Sequence, residues 1–239
     1  MKIQFIGVGT VTDTKAQSCI LITDNDTYIV VDIGCGSMQN LQKVTDINKI
    51  SAILLTHNHL DHNGDLLNFL KTRYLLKGDK ISIFGPKGTK NFVNCLLNCY
   101  PYLYNKVKFK VFERKKFKID NIKVKTYPTI HSIESFAYEI KTNDAGVIIS
   151  GDTKPIKDII EIESKVLIHE MSLPFKTVST DHTTPEEFAS LLKYCKSEII
   201  YLTHLYPQTI KIKNQLIQYL KQFYKGKIKI ASEFEIIAI

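Results

Sequence analysis

The segment Thr56-His57-Asn58-His59-Leu60-Asp61-His62 constrains this chain more than any other. It puts four side chains able to ligate a metal into the six positions 57–62, directly after the apolar stretch Ala52–Leu55. Ile50–Thr56 reads as a buried strand, and strands this apolar belong to sheets covered on both faces. The fold must therefore bury this strand while leaving its polar end open. In extended backbone, positions 57, 59 and 61 point one way and residue 62 reaches round a turn. One loop can in this way feed two metal ions. Imidazole and carboxylate donors suit Zn²⁺, Mn²⁺ and iron.

Composition sets the rest of the frame. With 239 residues, 44% hydrophobic and 23% charged, the chain can bury a sizeable core, and disordered or collagen-like architectures are excluded. No repeat and no Pro-, Gly- or Ser-rich linker interrupts it, so a single domain over 1–239 is expected. No apolar run approaches the roughly 18 to 20 residues of a membrane span. The N-terminal IQFIGVGT reads as a first strand and not as a leader. The expectation is a cytoplasmic protein (host cytoplasm if the chain is viral) with no membrane partner. The five cysteines include no C-x-x-C, so no disulfide framework is expected, and Cys95 and Cys99 should be buried small hydrophobes on one helix face. The net charge of +8 favours anionic partners. Yet every positive residue except Arg73 and Arg114 is a lysine, spread along the chain, and the densest run, Arg114–Lys118, reads as a solvated edge.

Hydrophobic periodicity predicts strands at Lys2–Gly7, Ser18–Thr23 and Tyr28–Asp32, a helix over Ser37–Thr45, and the strand Ile50–Thr56. A helix over Asp65–Lys77, a strand at Ile81–Phe84 and a helix from Pro86 to Cys99 follow. The middle returns to strands at Val107–Phe112, Ile122–Tyr127, Phe136–Lys141 and Val147–Ser150, the last two joined as a hairpin. The final third alternates: helix near Ile156–Ile162, strand Val166–His169, helix Pro185–Cys195, strand Ile199–Thr203, helix Ile212–Tyr224, then strands Ile228–Ile230 and Glu233–Ile237. Two strand-rich halves that each acquire helices predict two sheets face to face with helices outside.

His57-x-His59-x-Asp61-His62 after a buried strand resembles the signature of the metallo-β-lactamase superfamily, and other landmarks follow in order. Asp32-Ile33-Gly34 resembles its early Asp-Gly motif, whose Asp orients a metal-binding histidine. Pro128-Thr129-Ile130-His131, Ser150-Gly151-Asp152-Thr153 and Leu202-Thr203-His204 resemble its later metal motifs. His169-Glu170-Met171, Asp181-His182-Thr183-Thr184 and the stretch from His131 to Tyr138 are similar to the RNase Z-like phosphodiesterase branch, with Ala137 where Gly is usual. The resemblance implies an α/β fold, a four-layer αββα sandwich. It also implies a dinuclear site: His57, His59 and His131 on one ion, Asp61, His62 and His204 on the other, and Asp152 on both. The implied cofactors are two divalent ions, Zn²⁺ before Mn²⁺. His169 is expected to be structural.

In such a site Asp61 would serve as ligand and general base, while His182, held cationic by Glu170, would supply a proton to the leaving oxygen. The branch's tRNA enzymes carry a long arm between the third metal histidine and the bridging Asp. Here only 21 positions separate His131 from Asp152, filled by two strands and a turn, and Leu205-Tyr206-Pro207 stands where a Ser and an Arg are usual. Both departures favour armless enzymes that act on small or cyclic nucleotides, including the phage-encoded type that destroys cyclic pyrimidine mononucleotide signals. The expected activity is a metal-dependent phosphodiesterase acting on small, cyclic nucleotides. The alternatives are a tRNA 3′-end endonuclease with RNA as partner, a lactam or thioester hydrolase, and a non-enzymatic metal-bearing module that binds nucleotide or nucleic acid. The aromatics Phe92, Tyr100, Tyr102 and Tyr104 suggest a homodimer contact or a base-stacking wall, with a partner residue near each active site.

Overall fold

The computed structural model describes residues 1–239. Its first half supplies strands β1 (Lys2–Gly7), β2 (Cys19–Asp24), β3 (Thr27–Val31), β4 (Ile50–Leu54), β5 (Ile81–Phe84) and β6 (Phe109–Phe112). Helices α1 (Ser37–Val44), α2 (Leu60–Asn63), α3 (Leu66–Leu75) and α4 (Thr89–Asn98) lie between them. The second half supplies β7 (Lys116–Ile119), β8 (Ile122–Pro128), β9 (Phe136–Lys141), β10 (Gly146–Ile149), β11 (Val166–Glu170), β12 (Ile199–Thr203) and β13 (Lys227–Ile230). Its helices are α5 (Lys157–Ile160), α6 (Pro185–Leu191), α7 (Pro207–Lys211) and α8 (Lys213–Leu220), and a last strand, β14 (Ile236–Ala238), returns to the first sheet. The two sheets run β14-β1-β2-β3-β4-β5-β6 and β13-β12-β11-β10-β9-β8-β7.

Three layers of apolar contact hold these parts together. Phe5, Val31 and Leu54 of the first sheet meet Val124, Tyr138 and Ile168 of the second in a core between the sheets. Leu41, Ile53 and Phe69 lie in a second core under α1, α3 and α4, and Ile148, Ile160, Phe188 and Leu216 in a third under α5, α6 and α8. The result is helix, sheet, sheet, helix: the αββα sandwich that the motifs imply. At about 1.5–3 kcal/mol for each fully buried large aliphatic or aromatic side chain, these cores supply the main driving force for folding.

Differences from the expected elements have local causes. The helix expected from Pro86 starts only at Thr89, because Gly88 holds a left-handed φ of 98° just before it. The helix expected at Ile212–Tyr224 begins at Lys213, and a separate turn, α7, precedes it. The strand expected at Glu233–Ile237 forms at Ile236–Ala238, since Phe234 turns the chain at φ 65°. Cys95 and Cys99 are exposed, contrary to expectation. Val93 and Leu97 take the inner face of α4, which puts Cys95 on the outer one, and Cys99 falls at the helix end. The run Arg114–Lys118 does lie at an edge: Lys116–Ile119 forms β7, the terminal strand of the second sheet, an element that the charge of the run concealed.

Candidate metal centre

β3 and β4 run parallel, as do β10, β11 and β12, and loops at their carboxyl ends meet along one edge of the sandwich. The two sheets are tied there: Phe136 N donates to Thr56 O at 2.9 Å and the Tyr138 hydroxyl to Leu55 O at 2.8 Å. The extended run after β4 stops at His59. Leu60–Asn63 is a helical turn that carries Asp61 and His62, so Asp61 does not share an extended face with His57 and His59 as the spacing suggests. The turn sits close because residue 34 is glycine. A Cβ there would lie 2.0 Å from the Asp61 carbonyl oxygen. Two site residues pay backbone strain, Asp32 at φ 59° and His204 at φ 56°.

The seven candidate ligands converge. His57, His59 and His131 form one group, Asp61, His62 and His204 another, and Asp152 lies with His57 and His62, with the donor atoms of each group within 4.8 Å of one another. Asp152 Oδ1 lies 3.3 Å from His62 Nε2 and 3.6 Å from His204 Nδ1, and its Oδ2 lies 3.9 Å from His57 Nε2. His204 Nε2 is 3.1 Å from Asp61 Oδ2, and His131 Nε2 is 3.0 Å from His59 Nδ1.

The outer nitrogens explain why the inner ones are available. His62 Nδ1 is held by Asp32 Oδ2 at 2.7 Å, His57 Nδ1 by Thr56 Oγ at 3.0 Å, His131 Nδ1 by Asp181 O at 3.0 Å and His204 Nδ1 by Ser172 Oγ at 3.1 Å. Such partners fix ring orientation and tautomer, as around a bound metal. His57 Nε2, His62 Nε2 and Asp152 Oδ1 are buried and have no hydrogen-bond partner. Buried polar atoms are rarely left unpaired. This donor set fits divalent metal.

Charges follow the same geometry. Burial, then neighbouring His62, pushes His57 down and keeps it neutral, and burial with His131 lowers His59. Burial works against ionised Asp152, yet His204 and His62 hold it well below the usual carboxylate range. Burial likewise opposes protonation of His62, but Asp152 and Asp32 raise it well above its ordinary value.

Glu170 and His182 stand beside this cluster. His182 Nδ1 donates to Glu170 Oε1 at 2.8 Å. The same carboxylate accepts from Thr153 N at 3.0 Å and Ser172 N at 2.9 Å, so it is fully used while only 1% exposed. Burial lowers His182, but the bond and charge of Glu170 outweigh it and push it up to about 9. The His182 ring lies 5.0 Å from that of His131. His169 is elsewhere: fully buried, its Nδ1 2.7 Å from Glu170 O and its ring packed on Phe188.

Sequence reasoning gave no role to Tyr206, Thr56, Ser172 or the Asp181 carbonyl. The Tyr206 hydroxyl lies 3.5 Å from His182 Nε2, and burial raises it to about 12. A cavity of about 320 Å³ lined by Val11, Thr12, Asp61, Tyr206, Pro207 and Gln208 opens beside Asp61. The position of Tyr206 directly after Leu205 in the altered closing motif was the available signal.

A family model described as "Anti-Pycsar protein Apyc1" matches residues 1–224. A Ribonuclease Z of Methanococcus maripaludis (strain C5) is 28% identical over 232 residues, which is 84% of this chain and 73% of the relative. Among solved structures, the metallo-β-lactamase fold protein YhfI from Bacillus subtilis superposes with a TM-score of 0.85 at 20% identity, covering 99% of this chain and 98% of its own. The short form of human tRNase Z superposes at 0.82 with 22% identity, covering 100% and 99%. The sandwich is the metallo-β-lactamase fold.

Proposed function

The chain belongs to the Anti-Pycsar protein Apyc1 family, and from that membership we propose that it is a metal-dependent phosphodiesterase that hydrolyses small, cyclic nucleotides. The observation that carries the reading is the Glu170–His182 pair, a buried carboxylate 2.8 Å from an imidazole that stands beside the ligand cluster. A phosphodiester needs such a group, because its alkoxide must leave with a proton. The reach of the site supports a small substrate: β9, β10 and a short turn fill the chain between His131 and Asp152, and the cavity beside Asp61 is about 320 Å³.

His57, His59 and His131 would hold one divalent ion, Asp61, His62 and His204 a second, and Asp152 both, with Zn²⁺ before Mn²⁺ for this imidazole-rich set. Bound there, the ions would supply Lewis acidity at the phosphoryl oxygens and water acidified toward neutrality. Asp61 orients the attacking water and accepts its proton. His182 keeps its Nδ1 proton on Glu170 and gives the Nε2 proton to the departing oxygen. Glu170, held by two backbone amides, does not move during the transfer.

A screen of the purified protein against cyclic mononucleotides, cyclic dinucleotides, bis-p-nitrophenyl phosphate and a precursor tRNA tests this reading. Cyclic mononucleotides should be opened fastest. Cleavage of the tRNA with cyclic nucleotides left intact would instead favour a tRNA 3′-end endonuclease, the reading that the Ribonuclease Z relatives support. No turnover of any ester would leave the non-enzymatic nucleotide-binding module.

The proposal includes a homodimer. Tyr100, Tyr102 and Tyr104 remain 45%, 53% and 52% exposed, whereas Phe92 packs against the core under α4. Tyr102 stands by Lys71 and Lys106, ahead of β6 and so at the amino end of the parallel strands, whereas the metal ligands follow their carboxyl ends. A second copy covering these rings would bury them without reaching the site, so the expected partner residue near each active site is not part of the proposal. Sedimentation at micromolar concentration should give a dimer, and a fully active 27.4 kDa monomer would refute it.

A further inference from the structure

Strand register gathers lysines that the sequence scatters. Lys116 of β7 stands opposite Lys125 of β8, and Lys118 opposite Lys123. Lys123 in turn stands opposite Lys141 of β9, and Lys125 opposite Glu139. All six side chains line one depression of about 570 Å³. The single acid is already engaged: Glu139 pairs with Lys141 at 2.6 Å and accepts from the Tyr127 hydroxyl at 2.7 Å.

Like charges directly opposite on neighbouring strands destabilise a sheet. Lysine on a terminal strand has a protective use, since it blocks edge-to-edge pairing. That explains Lys116 and Lys118 on β7. It does not explain Lys123 and Lys125 on β8 or Lys141 on β9, which are interior strands. The repulsion built into the face is relieved when an anion covers it.

The make-up of the face selects the anion. Protein interfaces concentrate Trp, Tyr and Arg and are depleted of lysine, and this face carries neither Trp nor Arg. Membrane-surface elements combine charge with apolar groups that enter the bilayer, and no large exposed hydrophobic residue belongs to β7, β8 or β9. Single strands are held by stacking bases on aromatic rings, and the one ring on this face, Tyr127, is already covered by Lys125 at 4.3 Å. Rows of lysines with a strand-and-ladder spacing match the repeated charge of a phosphate backbone. B-DNA is read by helices or ribbons that project into its major groove. Double-stranded RNA is recognised by shape, through 2′-hydroxyl and phosphate contacts across a wide, shallow minor groove that a broad face can span.

We propose that the outer face of β7, β8 and β9 binds the sugar–phosphate backbone of double-stranded RNA. The proposal is independent of the substrate assigned to the metal centre. It is tested by fluorescence anisotropy of the full chain with a labelled RNA duplex of about 20 base pairs, over a range of salt. Lys118→Gln/Lys123→Gln/Lys125→Gln should weaken binding at least about tenfold and flatten the log–log salt dependence by about 2.7, at roughly 0.9 per lost phosphate contact. Lys2→Gln/Lys49→Gln/Lys193→Gln, which removes the same charge from other elements, should bind as the unmodified chain does. Both variants should hydrolyse bis-p-nitrophenyl phosphate at the unmodified rate. Equal losses in the two triple variants would overturn the proposal, as would binding to phosphatidylserine vesicles without binding to the duplex. A DNA duplex bound as tightly as RNA would overturn the assignment to RNA.

Discussion

Asp152→Ala should lower kcat by roughly 10³-fold or more, beyond the ~10- to 100-fold typical of a lost outer hydrogen bond, and should reduce bound metal. The carboxylate faces three histidines, His57, His62 and His204, at 3.3 to 3.9 Å. Removing it takes a shared anionic donor from both groups of ligands at once. The fold should survive, because Thr129 and Ser135 hold this turn through the Asp152 backbone carbonyl, not through its carboxylate. Metal content by mass spectrometry, thermal unfolding and turnover of bis-p-nitrophenyl phosphate separate these effects. A variant that keeps its full metal content and more than a tenth of kcat would show that Asp152 does not join two ions.

His182→Ala should act differently. It should keep the metal and the fold but lose about 10²-fold or more in kcat, the usual worth of a positioned proton donor. Glu170 keeps the hydrogen bonds from Thr153 N and Ser172 N in this variant, so its buried carboxylate is not left without donors. Esters of p-nitrophenolate need little protonation of the leaving oxygen and should suffer less than a natural cyclic nucleotide. If both substrates lose the same factor, His182 is not the general acid.

The site was legible where residue type alone carries chemistry. Four ligand-type residues at 57–62 announce a metal, and Asp152 and His204 follow β10 and β12, strands whose apolar character marks them as buried. The helical turn that separates Asp61 from His59 was not legible, since a four-residue turn leaves no periodicity to read. Nor were the groups that fix the histidine rings. Ser172, Thr56 and a main-chain carbonyl at Asp181 are ordinary in sequence and gain a role only when His204, His57 and His131 fold onto them. Cys95 and Cys99 show a second limit: their spacing fits one helix face, but only packing decides which face is inward. The lysines of β7, β8 and β9 show a third. Composition counts charge, whereas register decides which charges meet.

The proposed site puts two metal ions among seven side chains and gives both a part in phosphodiester hydrolysis. Metal-stripped protein titrated with Zn²⁺ or Mn²⁺, with bound metal and turnover of a cyclic mononucleotide followed together, should take up two ions per chain at saturation. Full turnover should be reached only as the second binds. Saturation at one ion per chain with full activity would contradict the two-ion site.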